Sequence, residues 1–247
     1  MTKPRRRSRA PAILYLDAEL LAVDKPAGVL LTPGRGDSVG LPDLIRGRAG
    51  LLDDEPLRIV QRLHEQASGV VVYARTPAAQ RNLAKQFAEQ QAETVYLALV
   101  TGYVEGDGDI DLPLYYDKRA GKLRGSERRG SPALTRYRIV QRVAGNTLLE
   151  CRPLKERSDQ VRTHLAAIGH PLTVDSEFGG GHAVLLSSYK PDYRPSGRRP
   201  ERPLIERLTL HAAEVSLFHP ASGERMRFAS PLPKDLRATL VQLGRLH

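Results

Sequence analysis

Apolar residues in this 247-residue chain come in short runs, each closed by turn-forming residues, and this punctuation limits the possible folds more than any other feature. With 21 glycines and 18 prolines in the chain, no run approaches the ~18 apolar residues that a bilayer-crossing helix needs. The N-terminus lacks the apolar stretch of a secretory signal, so the reading is a soluble, cytoplasmic protein. At 40% hydrophobic and 27% charged residues, the chain can bury a sizeable core.

The runs alternate between strand and helix patterns without an internal repeat. Residues 20–23 form an apolar strand that turns at Asp24-Lys25-Pro26, and residues 70–73 read as a buried strand. Pro77 opens a helix to about Gln90, with Leu83, Ala84 and Phe87 on one face. Residues 95–104 are β-rich, with Tyr96, Ala98, Val100 and Gly102 spaced by two. Residues 134–143 and 147–151 make an antiparallel pair turning at Gly145-Asn146. Ser158 caps a helix carrying Val161, Leu165 and Ile168 and stopped by Gly169 and Pro171. Pro233 opens a last helix with Leu236, Leu240 and Leu243 inward. This order predicts an α+β fold with a mixed, largely antiparallel sheet and flanking helices.

The net charge of +10 is unevenly spread. Lys3, Arg5, Arg6, Arg7 and Arg9 supply half of it with no acid before Asp17, so residues 1–10 read as a basic disordered tail and residues 11–247 as the folded domain. Lys118, Arg119, Lys122, Arg124, Arg128 and Arg129 lie among Gly121, Gly125 and Gly130, which predicts a flexible basic loop. Lys190, Arg194, Arg198, Arg199 and Arg202 cluster around Pro191 and Pro203 in a second one. Each segment alone reads equally as a solvated surface, but three in one chain favour a polyanionic partner.

Other local signals carry little. Cys151 is the single cysteine, which excludes an intrachain disulfide and a multi-cysteine zinc site, and it reads as core beside Leu148 and Leu149. The histidines at 164, 170, 182 and 211 show no helical ligand pair, so no metal is expected. Gly179-Gly180-Gly181 lacks the strand and helix of a phosphate loop and reads as a turn.

Taken in order, the segments after the tail resemble the RluA-type pseudouridine synthases. The resemblance is carried by Val23-Asp24-Lys25-Pro26-Ala27-Gly28, Arg62-Leu63 with Ser68-Gly69, and Tyr96-x-Ala98-x-Val100-x-Gly102. Gln160-Val161-Arg162-x-His164-Leu165, Gly169-His170-Pro171, Arg202-Pro203-Leu204-Ile205, Leu210-His211-Ala212 and Pro231-Leu232-Pro233 complete the series. The resemblance implies the pseudouridine synthase fold, a central RNA-binding cleft, and cofactor-free isomerisation of a uridine flipped out of structured RNA, rRNA or tRNA.

In that family an aspartate in His-Arg-Leu-Asp-x-x-Thr-Ser-Gly starts the reaction on the ribose, as nucleophile or proton acceptor. The matching stretch here is Gln61-Arg62-Leu63-His64-Glu65-Gln66-Ala67-Ser68-Gly69, which puts His64 at the aspartate position. Neighbours differ as well: Thr94 stands for a lysine, Glu156 for a glycine, Ser158 for a threonine and Asp159 for a histidine. The resemblance keeps Tyr96 against the target base, Arg162 as partner of the catalytic carboxylate and Arg62 at the flipped-base site. On residues alone, Tyr96 reads equally as core and the arginines as caps of surface carbonyls. Two expectations follow: an RNA-binding protein with catalysis lost or strongly reduced, and alternatively an active synthase in which His64 or Glu65 replaces the aspartate.

Overall fold

Strand and helix ends fall where proline, glycine and aspartate interrupt the apolar runs. The computed structural model describes residues 10–33, 39–52, 55–194 and 200–246. Its first elements are β1 (Ala12–Leu16), β2 (Leu20–Lys25), α1 (Leu41–Ala49), β3 (Arg58–Ile59), β4 (Ser68–Ala74) and α2 (Pro77–Ala88). Then come β5 (Glu93–Thr101), β6 (Gly108–Asp111), β7 (Leu114–Asp117), β8 (Lys122–Gly125), β9 (Leu134–Val143) and β10 (Asn146–Leu154). α3 (Gln160–Ala167), β11 (Leu210–Phe218), β12 (Arg225–Ala229) and α4 (Lys234–Leu243) close the chain. The basic tail, apart from Ala10, lies outside the described residues, as do Arg198 and Arg199.

The elements group into two compact units. One comprises the residues up to Glu93 with Ala212–Pro231, the other Thr94–His211 with Leu232–His247. In the first unit the strand order is β1-β2-β4-β11, with β3 beside β4 and β12 beside β11. The β1/β2, β2/β4, β3/β4 and β11/β12 pairs are antiparallel. Successive strand side chains alternate faces, so Leu20 and Ala22 line up with Val70 and Val72 and with Val215 and Leu217. Ala79 and Leu83 of α2 cover that layer.

Helix α2 begins as its sequence demands. The Thr76 hydroxyl accepts the Ala79 N–H at 3.0 Å and Pro77 occupies the first turn. Its buried face is Ala79, Leu83 and Gln86, while Ala84, expected inward, is exposed. Adjacent helical residues diverge by about 100°, so Leu83 and Ala84 cannot both face the sheet. The polar member of that face is paired: Gln86 accepts the Phe218 N–H at 2.8 Å and donates to the Phe218 carbonyl at 2.7 Å, completing the end of β11.

The second unit carries the order β5-β10-β9-β6, antiparallel throughout. Leu99, Val143 and Leu148 pack with Leu236, Leu240 and Leu243 of α4 and with Val174, Val184 and Ile205 from the connecting segments. Cys151 is fully buried on β10, as expected. Three local expectations need correction. The β9–β10 turn sits at Ala144-Gly145, both with positive φ (35° and 71°), and Asn146 already belongs to β10. Strand β5 ends at Thr101, so Gly102 turns out of it with φ 87°. Ser158 does not cap α3: the capping position is Asp159 at φ 60° without a side-chain capping bond, and Ile168 is an exposed C-terminal residue.

Candidate functional site

In the first unit, the 61–67 segment is a loop held from below. Leu63 is buried while Arg62 and His64 on either side of it are exposed. The Glu65 carbonyl accepts hydrogen bonds from the Lys25 ammonium and from the Gly28 N–H, each at 2.8 Å. Lys25 has no exposed surface, and its ammonium also donates to the carbonyls of Val29 at 2.9 Å and Pro26 at 3.1 Å. A lysine charge at such depth needs acceptors in place of its water, and these three carbonyls are among them. The strand that follows is fixed by contact: a Cβ on Gly69, which has φ 120°, would lie 2.1 Å from the Ala212 carbonyl oxygen.

The His64 ring is part of this local order. Its Nδ1 accepts the Gln66 N–H at 3.1 Å, and its carbonyl accepts the Ala67 N–H at 3.0 Å. A ring nitrogen that accepts an amide proton has committed its lone pair, so the neutral ring carries its proton on Nε2. Gln61 is buried, and neither polar atom of its side chain has a hydrogen-bond partner among the described residues.

The second unit holds Tyr96 and Arg162. Tyr96, on β5, is 3% exposed, and its hydroxyl donates to the Glu156 carboxyl. Burial pushes the Glu156 carboxyl above the usual glutamate range, against the opposing effect of the Tyr96 hydrogen bond. Tyr96 is itself held well above the ordinary tyrosine value by burial and by the Glu156 charge. The Thr94 hydroxyl also opposes the rise at Glu156, but it and Glu156 Oε2 are buried without a hydrogen bond of normal geometry among the described residues.

Arg162, on α3, is also 3% exposed and is held by three acids of its own unit. Its Nε and Nη2 grip Asp175 at 2.7 and 2.8 Å, Nη1 meets Asp159 at 2.7 Å, and Nη2 meets Glu177 at 2.9 Å. The Phe178 ring lies 4.5 Å from the guanidinium. Asp159 adopts its left-handed conformation with the carboxylate turned to Arg162, which explains why it caps nothing. His164 is internal: its Nε2 donates to the Leu112 carbonyl at 3.0 Å, its Nδ1 lies 2.9 Å from the Thr135 hydroxyl, and burial depresses its pKa.

Tyr96 and Arg162 thus share a unit and each has an acidic partner there, while Arg62 and His64 belong to the other unit. The three acids on Arg162 and the Glu156–Tyr96 contact escaped sequence reasoning. Glu156 was visible as a departure from a glycine, but its partner lies 60 positions away.

The first basic segment is not a flexible loop. Tyr115 pairs with Arg124 and Asp117 with Lys122 across the β7–β8 hairpin. Asp117 accepts the N–H groups of Arg119 and Ala120 at 2.9 and 3.2 Å, and Gly121 closes the turn at φ 66°. Glycines that seemed to break structure therefore serve a tight turn and the hairpin base. Lys190 and Arg194 are exposed in irregular chain after a single 3-10 turn over Leu186–Ser188. No helix among the described residues is long and apolar enough to cross a membrane, and no group of three or more His, Cys, Asp or Glu among them is placed to hold a metal ion.

Two human structures, RNA Pseudouridylate Synthase Domain Containing 1 and Domain Containing 4, share the fold, each with a TM-score of 0.67. At 24% and 23% identity they cover 94% and 95% of this chain, and it covers 87% and 93% of theirs. The molecule therefore has the pseudouridine synthase fold. Residues 19–167 match the RNA pseudouridylate synthase family. The chain is 35% identical over 236 residues to Ribosomal large subunit pseudouridine synthase D of Nitrosomonas europaea, covering 95% of this chain and 65% of that protein. It is 34% identical over 223 residues to Dual-specificity RNA pseudouridine synthase RluA of Escherichia coli, covering 89% and 92% respectively. The chain belongs to the RluA/RluD-type pseudouridine synthase family.

Proposed function

We propose that this protein is a pseudouridine synthase-like RNA-binding protein in which uridine isomerisation is lost or strongly reduced. The observation that carries the reading is the state of His64, which stands where the resemblance puts the catalytic aspartate. A carboxylate there offers two oxygens and leaves a neutral ester after attack on the sugar. The imidazole instead has its Nδ1 lone pair on the Gln66 N–H, and attack through a ring nitrogen would first form a cationic adduct that becomes neutral only by losing its N–H proton. Two features of the second unit support the same reading. Arg162 already carries Asp159, Asp175 and Glu177, and Tyr96 carries Glu156.

RNA remains the partner in this reading. The relatives are named for ribosomal large subunit and dual-specificity RNA modification, and the chain's charge of +10 suits a phosphate backbone. Structured rRNA or tRNA is the proposed class, held by exposed basic residues such as Lys118, Arg119, Lys190 and Arg194.

The test is tritium release from 5-tritiated uridine in structured RNA, run beside RNA binding at several salt concentrations. Binding that weakens steeply with salt, with no release above background, is the expected result. Wild-type release that His64→Ala abolishes overturns the loss of catalysis, and affinity that ignores salt overturns the polyanion reading.

A further inference from the structure

Six cations lie between positions 118 and 129 against Asp117 and Glu127, and the hairpin sorts them in space. Residues directly opposite in an antiparallel pair share a face. Tyr115, Arg124, Asp117 and Lys122 therefore occupy one face, where Arg124 pairs with Asp117 at 3.0 Å and the Arg129 guanidinium lies 3.9 Å from the Tyr115 ring. Tyr116 is on the other face, opposite Leu123.

An isolated two-stranded ribbon is marginal in water, but this one is tied at its base. Leu114 is 1% exposed and exchanges two backbone hydrogen bonds with Ser131, at 2.9 and 3.0 Å. Gly130 presses so closely on it that a Cβ there would lie 2.7 Å from the Leu114 backbone. On the cationic face, Lys122 is anchored over the Phe178 ring at 4.9 Å.

A single exposed aromatic is ordinary on a protein surface. Tyr116 is distinguished by its setting. It is 62% exposed and makes no hydrogen bond or ring contact among the described residues, on a ribbon tied at its base whose turn presents exposed Lys118 and Arg119. The comparably exposed Tyr103 has structural work, since its hydroxyl accepts the Gly145 N–H at 2.9 Å. A free aromatic face beside cations is the arrangement that binds single-stranded nucleic acid, with bases stacking and phosphates meeting the charges. Along a fully paired duplex every base face except those of the two terminal pairs is already stacked on a neighbour.

We propose that the β7–β8 hairpin grips an unpaired stretch of RNA, with Tyr116 stacking on a base while Lys118 and Arg119 hold the flanking phosphates. The inference rests on the RNA-binding reading above and adds the contact and the strandedness.

The experiment measures affinity of the full chain, by fluorescence anisotropy, for a stem-loop RNA and for a blunt duplex of equal phosphate count. Tyr116→Ala is expected to weaken stem-loop binding about tenfold, Tyr116→Phe to retain it within about twofold, and duplex binding to change less than about twofold. A double Lys118→Ala/Arg119→Ala variant is expected to lower the salt dependence of stem-loop binding. If the wild type binds the stem-loop but Tyr116→Ala has no effect, or weakens both RNAs equally, the stacking contact is overturned while RNA binding stands. If the wild type binds neither RNA, both readings fall.

Discussion

The hydroxyl of Tyr96 donates to the carboxyl of Glu156 in the interior of the second unit, and the other oxygen of that carboxyl is buried with only the Thr94 hydroxyl near it and no hydrogen bond of normal geometry among the described residues. An ionised acid in this setting is costly, and burial accordingly raises the pKa of Glu156 above its ordinary 4.5. The folded state then binds the Glu156 proton more tightly than the unfolded state does. Its contribution to stability is complete below about 4.5 and is lost as pH rises through the raised folded value. Glu156→Gln keeps the shape and cannot ionise. Urea midpoints of variant and wild type should coincide near pH 4 and separate with rising pH, the variant becoming the more stable. Curves that stay parallel to about pH 8 would show that Glu156 does not ionise in this way.

Arg162 yields a larger effect. Asp175, 1% exposed, is gripped by two guanidinium nitrogens, so Arg162→Met leaves a buried carboxylate without its counter-charge, held only by the Glu177 and Phe178 N–H groups on Oδ1. The expected loss is about 3–5 kcal/mol in chemical denaturation. Arg162→Lys keeps the charge but not the fork, and should fall between the two proteins. A loss below about 1 kcal/mol for the methionine variant would mean that Asp175 finds water or another cation.

What the sequence made legible, and what it did not, follows from the range of the interactions. The apolar runs at 20–23 and 70–73 fixed β2 and β4 because burial on both faces leaves a continuous apolar stretch. The β7–β8 hairpin was read as a loop because its strands are four residues long and Asp117, Lys122 and Arg124 displace any simple alternation. Only the backbone pairing shows that the charges and tyrosines are divided between two faces. At the candidate site, the family motif drew attention to Tyr96, Arg162 and His64, since those positions sit in local patterns. Of the acids that complete their surroundings, Asp159 is local, three residues before Arg162, but Asp175 and Glu177 follow α3 and Glu156 lies 60 positions from Tyr96. No periodicity links these last three to their partners, so only the folded chain reveals the match.

Lys25 tests whether the loop carrying His64 depends on its buried support. Lys25→Met removes a charged donor from the carbonyls of Pro26, Val29 and Glu65, although Glu65 keeps the Gly28 N–H. Unsatisfied buried acceptors cost about 1–3 kcal/mol each, and partial rescue at Glu65 limits the total to roughly 2–4 kcal/mol. Amide hydrogen exchange at Ala67, whose N–H is held by the His64 carbonyl, should accelerate in the same variant. Unchanged exchange at Ala67 with reduced global stability would separate Lys25 from the loop.

The β9–β10 turn supplies a prediction in the stabilising direction. Its two central residues have positive φ, and the first is Ala144, whose Cβ makes the left-handed region unfavourable. The turn is nevertheless held in place, because the Gly145 carbonyl accepts the Gly102 N–H at 2.8 Å and the Gly145 N–H donates to Tyr103. Asparagine tolerates the left-handed region better than alanine, and Asn-Gly is a favoured pair for a two-residue hairpin turn. Ala144→Asn should therefore stabilise the chain by about 0.5–1 kcal/mol, read as a higher urea midpoint with an unchanged slope. Ala144→Gly relieves the same strain but adds unfolded-state freedom, so its gain should be smaller. If both variants lower the midpoint, the packing of the Ala144 methyl against the core outweighs the backbone term.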